Sequence, residues 1–168
     1  MKGIALTLGT SVVLTCLPSS GWALSQEELV GSWKLLSTVW QAVGSDKVAD
    51  NLGSNPHGVL VITPDYRFTI IETADGRKAA TTTEEFAALQ RSELAFSGLA
   101  TFSPDPNNPN GLKMVSNVDI AWNAEWVGTL QTRFLTLDGN RLTIRTEPHK
   151  NPHNGELAIS TLVFERAR

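Results

Sequence analysis

Apolar and polar side chains alternate along two neighbouring stretches within residues 122–146. A period of two is typical of β-strands with one buried face. The stretches are joined by Asp138, Gly139 and Asn140, residue types that supply the left-handed backbone positions of a tight hairpin. The pattern therefore predicts two antiparallel strands of a β-meander.

The same pattern recurs along most of the chain, interrupted by clusters of turn-forming residues. We expect strands at residues 31–40, 58–63, 66–71, 94–103, 114–122, 126–137, 142–146 and 156–166. Pro64 and Asp65 mark a second hairpin, and the segments 44–56 and 104–111, rich in Gly, Pro, Asp and Asn, are predicted loops. Many short strands separated by turns are typical of an antiparallel sheet that closes to remove its edges.

One segment has a helical pattern instead. It begins at Thr83, continues with two acidic residues, and has Phe86 and Leu89 three positions apart. Threonine caps helices and acidic side chains stabilise their first turn, so the pattern predicts a short helix over residues 83–91. Together, these elements predict an all-β fold, an eight-stranded antiparallel barrel (calyx) with one short helix.

The first 23 residues have the features of a secretory signal peptide. Lys2 supplies the positive charge, an apolar run follows, and Gly21 and Ala23 have the spacing that signal peptidase recognises. The run, residues 3–17, is shorter than the roughly 20 residues that span a bilayer. We expect residues 1–23 to be removed and residues 24–168 to form one periplasmic or secreted domain. A lipoprotein modified at Cys16 is the alternative.

The expected mature domain is acidic and contains no cysteine, because Cys16 is the single cysteine of the chain. Its stability must therefore come from core packing. Lys2 is one of 14 basic side chains, so 13 remain in the mature domain against 17 acidic ones. This balance, without a basic cluster, argues against nucleic acid partners. We also expect no integral membrane segment in the mature chain.

Five short segments carry a family resemblance. In chain order they are L-V-G-S-W-K-L-L-S, the hairpin N-P-H-G to T-P-D-Y-R, F-S-G, N-A-E-W-V-G-T-L-Q-T-R and L-V-F-E-R. From Leu29 to Arg166 the chain thus resembles the bacterial and fungal lipocalin-like domain family. The resemblance implies a barrel with an internal cavity, but no particular substrate. Many members have histidines before the fourth segment; residues 114–119 have none, which disfavours imidazole acid–base chemistry there.

The resemblance also implies a structural role for Trp33. In lipocalin-type barrels a tryptophan on the first strand closes the narrow end beneath an arginine from a late strand. Arg133 and Arg145 are the candidates for that arginine, which makes Arg145 a second predicted structural residue.

Candidate ligand contacts come from one predicted strand and several aromatic residues. Thr129, Gln131 and Arg133 share a face; inside the barrel they would form a polar strip suited to a carboxylate or carbonyl group, and outside they would face solvent. Aromatic walls bind flat apolar ligands, but core packing explains the aromatic residues equally well. The remaining candidate ligand contacts are Trp40, Asn117, Trp122 and Trp126.

Catalytic and metal-binding patterns are weak. His149 and His153 are four residues apart, but Pro148 and Pro152 prevent them from sharing a helical face, so we predict no metal site. No phosphate-binding loop, dinucleotide fingerprint or nucleophile elbow occurs in the sequence. We therefore predict no cofactor and identify no catalytic residue.

These observations favour an exported lipocalin-like protein that binds a small hydrophobic molecule in its barrel cavity, for non-catalytic carriage or storage. The first alternative is a cavity enzyme of the isomerase or cyclase type acting on a small hydrophobic substrate. The second is a structural envelope protein whose barrel is filled by its own side chains.

Overall fold

The computed structural model describes residues 23–50, 52–151 and 154–167. Within these residues the strands are β1 Gly31–Ala42, β2 Val48–Asp50, β3 His57–Ile62, β4 Arg67–Thr73, β5 Glu93–Asp105, β6 Asn108–Ala121, β7 Leu130–Asp138, β8 Arg141–Thr146, β9 His149–Lys150 and β10 Leu157–Arg166. The helix α1 spans Thr83–Gln90, and two 3-10 helices span Glu27–Leu29 and Ala124–Trp126.

Eight of these strands close into an antiparallel barrel, which confirms the predicted fold class. β1 pairs with β3, each following strand pairs with the next as far as β8, and β8 pairs with β10. β10 then pairs with β1 along its length, from Trp33–Arg166 to Ala42–Ala158. The short strands β2 and β9 extend the sheet beside the end of β1 and the start of β10.

Both predicted hairpins are present. Asp138 pairs with Arg141, and Gly139 between them has a left-handed φ of 56°. In the hairpin between β3 and β4, Tyr66 has a left-handed φ of 62°, and its N–H donates to the Thr63 carbonyl oxygen at 2.8 Å. A turn residue with positive φ lets two strands reverse within a few residues.

The two predicted loops are more ordered than the sequence indicates. Segment 44–56 contains the strand β2. Segment 104–111 is mostly strand, because β5 continues to Asp105 and β6 begins at Asn108. A turn of two residues joins them, in which the Asp105 carboxylate accepts a hydrogen bond from the Asn107 N–H at 2.8 Å. The Pro and Asn residues thus shape the tip of a long hairpin and not an open loop.

The predicted helix is present and lies on the surface. Its N-cap is Thr82, one residue before the predicted start; the Thr82 hydroxyl accepts from the Glu85 N–H at 3.2 Å, and the Glu85 carboxylate accepts from the Thr82 N–H at 3.1 Å. No residue of α1 is buried, and Phe86 is exposed. Capping therefore stabilises this helix more than packing does. In the described part of the chain, no helix is both long enough and apolar enough to cross a membrane.

Inward-facing side chains follow the two-residue period except where a bulge shifts it. In β1, Trp33 and Leu35 are buried, and a bulge at Leu36 moves the next inward positions to Thr38 and Trp40.

We name the end where β1 begins the closed end, and the opposite end, where β4 ends and β7 begins, the mouth. The main core cluster consists of Leu29, Trp33, Leu35, Leu60, Ile62, Phe68, Ile70, Phe96, Ala100, Leu112, Met114, Val118, Leu135, Leu142, Ile144, Leu162 and Phe164.

Trp33 fills the closed end, but the arginine that covers it is not one of the two predicted. Trp33 is fully buried, and its Nε1–H donates to the Leu29 carbonyl oxygen at 2.9 Å. The guanidinium of Arg166 lies over its ring, 4.1 Å from the centroid. The prediction of Arg133 or Arg145 was wrong, because β10 ends beside Trp33, whereas Arg145 is exposed on the outer side and Arg133 faces the interior.

Candidate functional site

Strand β7 turns its polar face into the barrel. Gln131, Arg133 and Leu135 alternate on the inner face, and Arg133 is only 6% exposed. On the other face Leu130 is 71% exposed. Of the two arrangements that the sequence leaves open, the structure therefore has the inward polar strip.

Arg133 is a buried cation held by neutral groups. Its Nη1 donates to the Ser116 hydroxyl at 3.2 Å and its Nη2 to the Gln131 side-chain oxygen at 2.7 Å. Its guanidinium carbon is 4.9 Å from the centroid of the Phe96 ring. Burial lowers the pKa of Arg133 to about 10, so it remains charged at neutral pH. Neutral hydrogen bonds and a cation–π contact orient the guanidinium without cancelling its charge.

A pocket of about 520 Å³ lies at the mouth beside this strip. Gln131, Arg133 and Thr146 line it from the barrel strands, Trp126 lines it from the 3-10 helix, and the segment 147–151 lines it from the connection between β8 and β10. Its lining is mostly polar, with Trp126, Leu130 and Pro148 as the apolar side chains, and its volume is in the range of small-molecule sites.

Trp126 connects the pocket to the core through a row of aromatic rings. Its ring contacts Trp122 edge to face at 6.2 Å and Phe96 at 5.2 Å, and Phe96 contacts Phe68 at 5.6 Å. Trp126 was predicted to begin a strand, but it is the last residue of a 3-10 helix. The Asn123 side chain caps this helix by accepting a hydrogen bond from the Glu125 N–H. The local cap thus turns the ring toward the barrel mouth.

Glu72 is the second buried charged residue and was not predicted. It is the last inward position of β4, 2% exposed, and its carboxyl group makes no hydrogen bond with the described residues. Burial raises the pKa of Glu72 to about 7, and the positive charge of Arg133 opposes that rise. Glu72 does not line the mouth pocket, and its link to the pocket is the charge of Arg133. Buried carboxyl groups with a perturbed pKa are common at functional sites.

His149 lies above the strip, in β9. Its Nδ1 is 3.1 Å from the Glu147 carbonyl oxygen, which can only accept, so Nδ1 carries the proton. Its Nε2 is then an acceptor, 3.4 Å from the Ser160 hydroxyl. Burial and the charge of Arg133 lower the pKa of His149, which favours the neutral ring. His149 therefore adds polarity to the pocket wall but no charge at neutral pH.

The remaining predicted residues occupy different places. Thr129 precedes β7, donates to the Trp126 carbonyl oxygen at 2.6 Å and accepts from Gln131 at 3.4 Å. Trp40 is buried on the inner face of β1, and Trp122 donates from its Nε1 to the Gln90 carbonyl oxygen at 3.0 Å. Neither tryptophan lines the mouth pocket.

Asn117 does not face the cavity, contrary to the prediction. It is exposed, because the alternation of β6 turns Ser116 and Val118 inward. His153 lies outside the described residues. Among the residues that are described, no group of three or more His, Cys, Asp or Glu side chains is arranged to hold a metal ion.

The sequence does not single out three polar residues that face the barrel interior or cover its closed end. Glu72 shares the period of Phe68 and Ile70, so extending the alternation by one step would have placed it inside the barrel. Ser116 and Arg166 follow the same rule on β6 and β10. Each is a single polar residue at a strand position that alternation assigns to the inner face, and none belongs to a recognisable motif.

The sequence of this barrel matches the model of a known protein family. A family model described as the lipocalin-like domain matches residues 30–167. The chain belongs to this family. In this lipocalin-like domain the match covers all strands from β1 to β10, and therefore includes the mouth pocket and both buried charged residues. No curated protein matches the chain.

Proposed function

We propose that this protein binds a small, largely apolar molecule in the mouth pocket, for carriage or storage without chemical conversion. The observation that carries the proposal is the buried Arg133 guanidinium at the wall of a pocket of about 520 Å³ that Trp126 also lines. An apolar body would pack against Trp126, and a carbonyl or carboxylate oxygen would accept from Arg133 or Gln131. Membership of the lipocalin-like family agrees with this function, because an eight-stranded barrel has room for its own side chains or for one small ligand.

Titration with the neutral apolar dye Nile red tests this proposal. We expect saturable binding to the wild type, followed by dye fluorescence and by quenching of tryptophan emission. Trp126→Ala removes part of the pocket wall and should weaken binding by about tenfold or more, the effect of losing roughly 1.5 kcal/mol of apolar contact.

Phe86→Ala is the matched control for Trp126→Ala. Phe86 is also an aromatic residue, but it is exposed on α1 and does not line the pocket. Its removal should leave dye binding unchanged. Absence of saturable binding in the wild type, or equal effects of the two variants, would contradict the proposal.

A second candidate function is an isomerase or cyclase, and Glu72 is the observation that favours it. A carboxyl group whose pKa lies near 7 can accept or donate a proton at neutral pH. Arg133, whose charge acts on Glu72, would stabilise negative charge that develops on a substrate carbonyl oxygen. Proton transfer to and from one substrate would then rearrange its double bonds without any cofactor.

Solvent deuterium exchange distinguishes this enzyme from a carrier. Small molecules extracted from the native cells would be incubated with the protein in deuterated water and analysed by mass spectrometry. An enzyme that uses Glu72 should add deuterium to its ligand, and Glu72→Gln should abolish the exchange. Glu93→Gln, which removes an outer carboxylate paired with Arg77, is the control. Binding without any exchange would support the carrier.

A further inference from the structure

Of the residues that the structure describes, two buried side chains in the barrel are charged, Arg133 and Glu72, and they are not paired with each other. Among the described residues the side-chain ion pairs are Lys47–Glu156, Arg67–Asp119 and Arg77–Glu93, and neither Arg133 nor Glu72 takes part in one. Both side chains are more than nine-tenths buried. Burying a charge is costly unless an opposite charge or several hydrogen bonds compensate it, so an anion that binds beside Arg133 would be stabilised by its charge.

We propose that the ligand of the mouth pocket is an apolar monocarboxylate whose head group binds Arg133, and that Glu72 takes up a proton when it binds. This inference rests on the proposed function, since it specifies the ligand class of the same pocket.

Arg133 provides the geometry for the carboxylate. A guanidinium has five N–H donors, and with the residues that the structure describes Arg133 forms two side-chain hydrogen bonds, to Ser116 and Gln131. Arg133 lines the pocket, and in the proposed complex its other donors bind the carboxylate. Arginine binds carboxylates with two parallel hydrogen bonds, and the buried setting strengthens them. The apolar part of the ligand then lies in the pocket against Trp126.

Glu72 is coupled to this event through Arg133. Its neighbours across the sheet are Gly58 and Leu94, which carry no charge, and Arg133 is the charged group that acts on it. An anion at Arg133 cancels the positive charge that favours ionised Glu72, and adds repulsion. Both effects favour the protonated carboxyl group, so the ligand and ionised Glu72 compete for one cation.

The other titratable groups near the site do not replace Glu72 in this role. His149 is near Arg133, but its lowered pKa keeps it neutral at neutral pH. Glu125, Glu147 and Lys150 line the outer part of the pocket and are exposed, so solvent screens their charges.

Decanoate and 1-decanol are the probes that test the head group, because they share a chain length and differ in charge. Displacement of Nile red should show that the wild type prefers decanoate by about tenfold or more near pH 6. Arg133→Met should abolish this preference and retain decanol binding. Arg145→Met removes the same charge from the outer side of the barrel and should change neither affinity. Urea unfolding of each variant confirms that it is folded.

Isothermal titration calorimetry in buffers of different ionisation enthalpy tests proton uptake. In the wild type, binding of decanoate should take up a fraction of a proton that approaches one about a pH unit above 7, and affinity should fall by up to about tenfold per pH unit there. In Glu72→Gln, uptake should vanish and affinity should stay constant with pH. The wild-type measurement stands alone if a variant fails to fold.

The outcomes separate this inference from the proposed function. If the wild type binds neither probe nor dye, both fail. If it binds decanoate and decanol equally, and Arg133→Met changes neither, the ligand class is wrong while the pocket function stands. If decanoate is preferred but no proton is taken up, the role of Glu72 is wrong.

Discussion

The guanidinium of Arg166 lies over the indole of Trp33 and joins the two ends of the described barrel sequence. Its carbon is 4.1 Å from the ring centroid. Its Nη1 donates to the Val30 carbonyl oxygen at 3.1 Å, and its Nη2 donates to the Glu28 carbonyl oxygen. Trp33 also donates to the Leu29 carbonyl oxygen. These contacts hold β1, β10 and the segment before β1 together at the closed end.

Loss of this contact should destabilise the barrel. Trp33→Ala removes a fully buried ring and should lower the free energy of unfolding by about 3–5 kcal/mol. Arg166→Met loses a cation–π contact and two hydrogen bonds, and should cost about 1–3 kcal/mol. Arg145→Met, on the exposed face of β8, should change it by less than about 0.5 kcal/mol. Urea unfolding measures all three, and equal values for the two arginine variants would refute the role of Arg166.

Alternation in the sequence predicted the barrel and most of its inner face, because a closed antiparallel sheet imposes one simple rule on every strand. The rule was correct for Gln131 and Arg133, although sequence alone did not tell which face is inner. A bulge interrupts this rule. The bulge at Leu36 exchanges the faces of β1, so that Thr38 and Trp40 point inward. Bulges depend on pairing between distant strands, which single-strand patterns do not contain.

The candidate site was predicted only in part, for a related reason. The Arg166–Trp33 contact depends on the register between β1 and β10, which are far apart in sequence. The significance of Glu72 likewise depends on Arg133, a residue of another strand. The prediction for Asn117 was wrong because the residues near it in the sequence do not determine which side chains of β6 face inward. Local pattern thus determines elements, and long-range register determines the site.

Gly98 should be intolerant of any side chain. It lies at the irregularity where β5 pairs with β6, and a Cβ added there would be 2.0 Å from the Asn117 carbonyl oxygen. Backbone cannot move aside cheaply, so Gly98→Ala should cost more than about 2 kcal/mol.

Gly139→Ala is the control for Gly98→Ala. A Cβ there meets no atom within 4 Å, and only the left-handed φ opposes it, at about 1–2 kcal/mol. Thermal and urea unfolding compare the two variants. A Gly98→Ala protein as stable as Gly139→Ala would show that the strands separate easily at this position.

Export remains a prediction from the sequence. We expect protein recovered from the periplasm or medium to begin within about two residues of Leu24, because signal peptidase cleaves after small residues such as Ala23. Intact-mass analysis and N-terminal sequencing measure this directly. A product that retains residue 1, or that carries a lipid on Cys16, would contradict it, and Ala23→Arg should block the cleavage.

Stability should depend on pH through Glu72, and the sign follows from its pKa. Folding raises the pKa of Glu72 from 4.5 to about 7, so the folded state binds this proton more tightly than the unfolded state does. The resulting stabilisation is complete below about pH 4.5 and is lost as the pH rises through about 7, a change of roughly 3 kcal/mol. Glu72→Gln mimics the protonated group and should remove the dependence, so its stability should exceed that of the wild type increasingly from about pH 4.5 upward, by roughly 3 kcal/mol above about pH 7. The comparison uses urea unfolding of both proteins across this range, with Glu93→Gln as a carboxylate control at the outer ion pair with Arg77. If the difference in unfolding free energy between wild type and Glu72→Gln is the same at every pH, Glu72 does not titrate between these values.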